Sequence, residues 1–248
     1  MGKILHKKGL VIMKNKKTPI GWNERQNKLK LFSDNQKKWT SLICQEETFV
    51  EGKNILLENH SLVHDKKVYK ADYDTIYDLL WENLKLETCK IMPQKGPSIL
   101  WCIWHTTRIE DLISNLLIRN KETIFNKEIQ TQLNIKISDV GNSMTNSEME
   151  LLNNNIDIRA LKEYRIKVGK STKKILESLN FNDLKIKVKP EQLNKITQIG
   201  GVIDDPNSIW LLDYWGNKNI LGLLKVPITS HHTTYHFIPC FALKEKYN

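Results

Sequence analysis

The chain has 248 residues, 40% of them apolar and 27% charged, with a net charge of +10 and four cysteines. That apolar content excludes a disordered chain, and the length suits one domain with large loops or one domain plus an appendage. Cys44, Cys89, Cys102 and Cys240 form no CxxC pair, which excludes a zinc knuckle and a CxxC redox motif, so a reducing compartment is expected.

Residues 1–35 are polar and basic, with Lys3, Lys7, Lys8, Lys14, Lys16 and Lys17 among them, and read as a basic N-terminal arm ahead of a domain over 36–248. From 35 to 65 the recurrence of Leu42, Ile43, Phe49, Val50, Leu56, Leu57 and Val63 at three- and four-residue steps predicts a first helix, with Gly52 a weak point in it. A short amphipathic piece over 73–86 leads to a turn at Gly96-Pro97. The second long helix is expected from Ser98 to about 119, with Trp101, His105, Arg108, Ile109, Leu112 and Leu116 on one face. Residues 120–155 read as short helices and loops with a turn signal at Asp139-Val-Gly-Asn.

The third long helix is expected over 157–179, capped by Asp157, and a small one over 189–199. Tyr214-Trp215-Gly216 reads as a turn. The last helix begins after Pro227, with Thr229 or Ser230 as cap, and reaches about 247. Four long amphipathic helices with polar connectors predict an all-α fold, an up-down four-helix bundle whose long connections, 120–155 and 180–227, carry short helices of their own.

The chemistry concentrates in histidines. His105 stands on the apolar face of the second helix, where a buried imidazole needs partners for its ring nitrogens. His232 and His236 are four apart, so on a helix they point the same way, and with His105 they can close three sides of a transition-metal centre. A second pair, His60 and His64, has the same spacing and reads as further ligands, as partners behind the first set, or as surface residues. There is no HExxH, nucleophile elbow or phosphate-binding glycine loop, so no catalytic residue is assigned. No helix-turn-helix, zinc finger or aromatic RNA-binding motif accompanies the lysines, so nucleic acid is not an expected partner. No stretch approaches a membrane span and the 9–13 apolar run is too short for a signal-peptide core, so a cytoplasmic protein is expected.

The run Ile99-Leu-Trp-Cys-Ile-Trp-His105-Thr-Thr-Arg-Ile-Glu-Asp resembles the second-helix motif of the DinB-like (YfiT-like) superfamily of damage-inducible metal-binding proteins. The segment Trp210-Leu-Leu-Asp-Tyr-Trp-Gly through Leu221-Gly-Leu-Leu-Lys-Val-Pro-Ile-Thr-Ser-His-His resembles the lead-in to that family's last helix, and the likeness spans about residues 40–247. The resemblance implies His105, His232 and His236 as ligands of a divalent transition metal such as zinc or nickel. It also implies a metal-dependent thiol S-transferase or hydrolase that uses a low-molecular-weight thiol and an electrophile, with Arg108 as a contact for an anionic thiol; the plainer role for Arg108 is a salt bridge to Glu110 or Asp111. The alternative is a bundle that binds metal or a partner without catalysis, and a homodimer is compatible with spare apolar surface. Two departures stand out. His231 precedes His232, and as a ligand it would put Tyr235 at the i+4 position. Pro239 follows His236 and is expected to kink the helix behind that ligand.

Overall fold

The computed structural model describes residues 22–94, 96–225 and 231–248. Among the described residues the chain is all α: twelve α-helices, no β-strand, and one isolated bridge between Lys187 and Asn219. The helices are α1 (Trp22–Leu42), α2 (Phe49–Leu62), α3 (Ile76–Trp81), α4 (Leu86–Lys90), α5 (Ile99–Asp111), α6 (Lys127–Gln132), α7 (Asn146–Asn155), α8 (Ile158–Ser178), α9 (Pro190–Gln198), α10 (Trp210–Gly216), α11 (Ile220–Lys225) and α12 (His231–Tyr247). No described helix is long and apolar enough to cross a membrane.

The expected first helix over 35–65 is two helices. Thr48 Oγ1 donates to the Leu42 carbonyl at 2.7 Å, closing a short corner, and Gly52 of α2 lies against the backbone of Ile43. A β-carbon at Gly52 would stand 2.5 Å from the Ile43 nitrogen, so the glycine is what lets α1 and α2 cross this closely. The expected boundary at residue 35 falls inside α1. Phe32 and Trp39 are buried, Arg25 pairs with Glu245 of α12, and its guanidinium lies 4.7 Å from the Phe241 ring centre. Residues 22–35 therefore belong to the folded body, and residues 1–21 of the expected arm lie outside the described residues.

Helix α5 is the axis of the molecule. Ser98 caps it by accepting from the Trp101 backbone N–H at 3.0 Å, and every residue from Ile99 to Asp111 is buried. It packs on α8 along one side and α12 along another, and it is flanked by α4 and α7. The helix continues as a π-helical segment, Leu112–Ile118, where Arg119 N donates to the Ser114 carbonyl. Gln192 of α9 donates to the carbonyls of Leu116 and Leu117, both at 2.8 Å, serving acceptors at the end of the widened turns.

Two apolar cores lie along this axis. One gathers Ile103, Trp104, Phe125, Tyr164 and Phe237; the other gathers Trp39, Ile113, Leu116, Leu176 and Trp215. Truncating a side chain as enclosed as Trp104 costs about 3–5 kcal/mol.

Helix α8 falls within one residue of its expected ends, capped by Asp157 accepting from Ala160 N at 2.8 Å. The 73–86 piece is shorter than expected. Thr75 and Asp78 form a capping box for α3, and after Asn83 turns the chain at positive φ a separate α4 begins. The connection 120–155 carries α6 and α7, as expected of it. The expected turn at Tyr214-Trp215-Gly216 is the end of α10, because Trp215 is buried against the second core and holds the segment helical. The caps expected at Thr229 or Ser230 lie outside the described residues. Pro239 does not end α12, which runs through it to Tyr247. The carbonyl it cannot serve belongs to Tyr235, whose side chain is exposed.

Candidate metal centres

His105 is presented by α5, and His232 and His236 by α12, and the structure brings all three together. The Nε2 atoms of His105 and His232 are 3.2 Å apart. The ring centres of His105 and His236, and of His232 and His236, are each 4.7 Å apart. A separation of 3.2 Å is close to the ~3.3 Å edge of a tetrahedron of imidazole nitrogens around zinc.

The orientation of His105 is built by a turn. Asp139 Oδ1 accepts from Gly141 N at 2.6 Å, Gly141 takes φ +87°, and the Val140 carbonyl between them accepts from His105 Nδ1–H at 2.7 Å. With its proton on Nδ1, the neutral ring leaves the Nε2 lone pair toward His232 and His236. Trp101 stacks on the face of the ring, centres 4.4 Å apart and nearly parallel. Burial, then the neighbouring His232 and His236, hold His105 well below the usual imidazole range. Burial, then His236, lowers His232 to about 3. Both are kept neutral, the form that binds metal. The side chain of His231 lies outside the described residues.

Beside His236 opens a cavity of about 460 Å³, lined largely by apolar atoms of Trp101, Cys102, Tyr235, Pro239 and Leu243. Cys102 is buried and touches this cavity. A hydrogen bond from Cys240 holds the Cys102 thiol below its ordinary range against the opposing effect of burial, with a smaller contribution from His236. Both cysteines are core residues; their contact with each other and with His236 was not legible in the sequence.

His60 and His64 meet elsewhere, on the α2 side of α5, with Glu110. His60 Nε2 lies 3.0 Å from Glu110 Oε1 and His64 Nε2 lies 3.0 Å from Glu110 Oε2. None of the three side chains is more than 3% exposed. His60 Nδ1 and the Tyr69 hydroxyl are hydrogen-bonded at 2.8 Å, which turns Nε2 of His60 toward Glu110. His64 Nδ1 has no partner and abuts Gly169 of α8, where a β-carbon would stand 2.5 Å away. Burial lowers His64 to about 3 even against the attraction of Glu110, while the two histidines hold Glu110 well below the usual carboxylate range despite its burial. His60 and His64 are thus partners of Glu110, not supports behind His105. The described residues contain two groups of three side chains able to hold a metal ion: His105 with His232 and His236, and His60 with His64 and Glu110.

Arg108, expected as a contact for an anionic thiol, is fully buried. Its Nε–H donates to the Ser138 carbonyl at 2.7 Å, a guanidinium nitrogen stands 3.6 Å from Asp111, and the group lies over the Phe125 ring. Asp111 also accepts from Tyr164 Oη–H and from the backbone N–H groups of Ile124 and Phe125. Arg108 holds the 138–141 turn, and so acts on the Val140 carbonyl that orients His105. Glu110 was the principal omission of the sequence reading. Its signal was a carboxylate on a helix otherwise set for burial, two residues from Arg108. No family model matches this chain, and no curated protein matches it.

Proposed function

We propose that this chain is a divalent-metal-binding bundle of the DinB-like kind, with α5, α8 and α12 among its bundle helices, and that the three-histidine centre serves thiol S-transfer. The observation that carries this reading is the convergence of His105, His232 and His236 beside an apolar cavity, with the His105 tautomer set by the Val140 carbonyl. A borderline divalent ion suits three imidazoles and keeps a position for an exogenous donor, where it would favour the thiolate form of a bound thiol.

The protein's own groups then have separable tasks. Val140 keeps the Nε2 lone pair of His105 available, and Trp101 prevents that ring from turning. The apolar walls supplied by Trp101, Pro239 and Leu243 exclude water from an electrophile's carbon chain. Low-molecular-weight thiols and a carbon electrophile are the substrates that fit these walls.

The test begins with metal content of the purified full chain and continues with a panel of small thiols and a chromogenic electrophile. Thiol-dependent turnover is expected in the metal-loaded protein, falling at least about 100-fold in His105→Ala, the scale expected for loss of a metal ligand or its support. Equal turnover in wild type and His105→Ala would sink the catalytic reading. Stoichiometric metal without turnover would leave a binding protein in its place.

A further inference from the structure

The His60–His64–Glu110 group has the components of a centre that the three-histidine reading does not use. It repeats the plan of the first one. Helix α12 offers His232 and His236 to a single donor on α5, and the end of α2 offers His60, with His64 in the bend just after it, at the same four-residue spacing, to another donor on α5. The two α5 donors, His105 and Glu110, are five residues apart and project to different sides of that helix. Each centre also has an outer partner on one imidazole Nδ1: the Val140 carbonyl on His105 and the Tyr69 hydroxyl on His60.

We infer that His60, His64 and Glu110 form a second, closed centre for a divalent transition-metal ion of zinc's class. Four donor atoms face one another: the two Nε2 atoms, and both oxygens of Glu110, one opposite each imidazole. Two imidazoles and a carboxylate chelating through both oxygens would fill four positions, and the burial of all three side chains is what would keep water from adding a further ligand. The charge balance favours a cation there. Glu110 is buried, and among the described residues no lysine or arginine lies within 4.0 Å of it. The buried guanidinium of Arg165 is committed to the Val63 carbonyl and the hydroxyls of Thr106 and Thr107. A carboxylate sealed from water with no lysine or arginine in contact is costly unless its hydrogen bonds compensate, and a divalent ion would bring opposite charge into direct contact with it. Gly169 shows that the pocket is shaped around this arrangement, since any larger residue there would push the His64 ring out of place.

This centre goes beyond the S-transfer reading, and zinc stoichiometry separates the two. The full chain, stripped and reloaded with zinc alone, is expected to retain two equivalents per chain, His105→Ala one, and Glu110→Gln one. A wild type with a single equivalent that disappears in His105→Ala overturns the second centre and leaves the three-histidine centre standing. A single equivalent that survives His105→Ala and disappears in Glu110→Gln does the reverse. Should Glu110→Gln fail to fold, X-ray absorption on zinc-loaded His105→Ala decides the matter. Two imidazoles and carboxylate oxygen around the ion are expected, and a metal-free protein or an ion with oxygen donors alone overturns the proposal.

Discussion

The two histidine clusters use the same spacing and the same central helix, yet they differ in what surrounds them. The α12 cluster borders a cavity, and His232 and His236 are partly accessible. The α2 cluster is sealed, and its carboxylate locks both imidazoles by hydrogen bonds of one length. The difference teaches that i,i+4 histidines alone do not define a chemistry. The third donor and the access to solvent decide whether the result is a place for substrate or a clamp between helices.

Removing one donor from each cluster should break this symmetry most strongly. Glu110→Gln replaces a charged double acceptor by an amide that can accept on one side only. It is expected to destabilise the metal-free protein by about 2–4 kcal/mol, because one hydrogen bond to a buried charge is lost and the other becomes a neutral one. His236→Gln, at the rim of a cavity, is expected to cost about 1 kcal/mol or less. Urea midpoints measured side by side test the contrast, and equal costs would show that the α2 cluster is no clamp.

Gly169→Ala comes next. The added methyl meets the His64 ring at 2.5 Å, and overpacking of that kind costs about 1–3 kcal/mol. The same substitution should leave metal affinity at His105 unchanged, so an equal loss at both centres in a zinc titration would join what the structure keeps apart.

Acid acts on both clusters, by about 1.4 kcal/mol per pH unit for each group concerned. His64 and His232 are each lowered from 6.5 to about 3 on folding. Their contribution is therefore fully present above about pH 6.5, where both folded and unfolded rings are neutral. It declines as pH falls toward about 3, because only the unfolded state takes up the protons. Metal-free melts between pH 7 and 4 should show this slope. Comparing His64→Gln with His232→Gln should divide it between the clusters, and a slope unaltered in both would remove these histidines as its source.

Much of this arrangement was legible before the structure. Helix α8 announced itself through Asp157 and a regular apolar stripe, and the convergence of His105 with His232 and His236 followed from placing one on each of two long helices. Helix α1 did not, because its buried residues are Phe32 and Trp39 interspersed with Arg25, Asn35 and Gln36, whose burial depends on partners in α2 and α12. The α2 cluster was half visible: the spacing of His60 and His64 stood out, but Glu110 lies 46 residues beyond His64 and joins it only through tertiary packing. Nothing local in the sequence marks the Val140 carbonyl as the partner of His105, since a backbone acceptor has no residue type of its own.

The 138–141 turn has a consequence reaching into the second long connection. Val140 N donates to the Gly201 carbonyl at 3.0 Å, and Ser138 Oγ donates to the Gly200 carbonyl at 3.2 Å. The loop that sets the proton on His105 is thus itself suspended from a glycine pair some 62 residues later. Sequence drift around Gly200 and Gly201, far from any ligand, would retune the donor strength of His105 by shifting one carbonyl, so the inserted segments serve as an adjusting screw for the centre they frame.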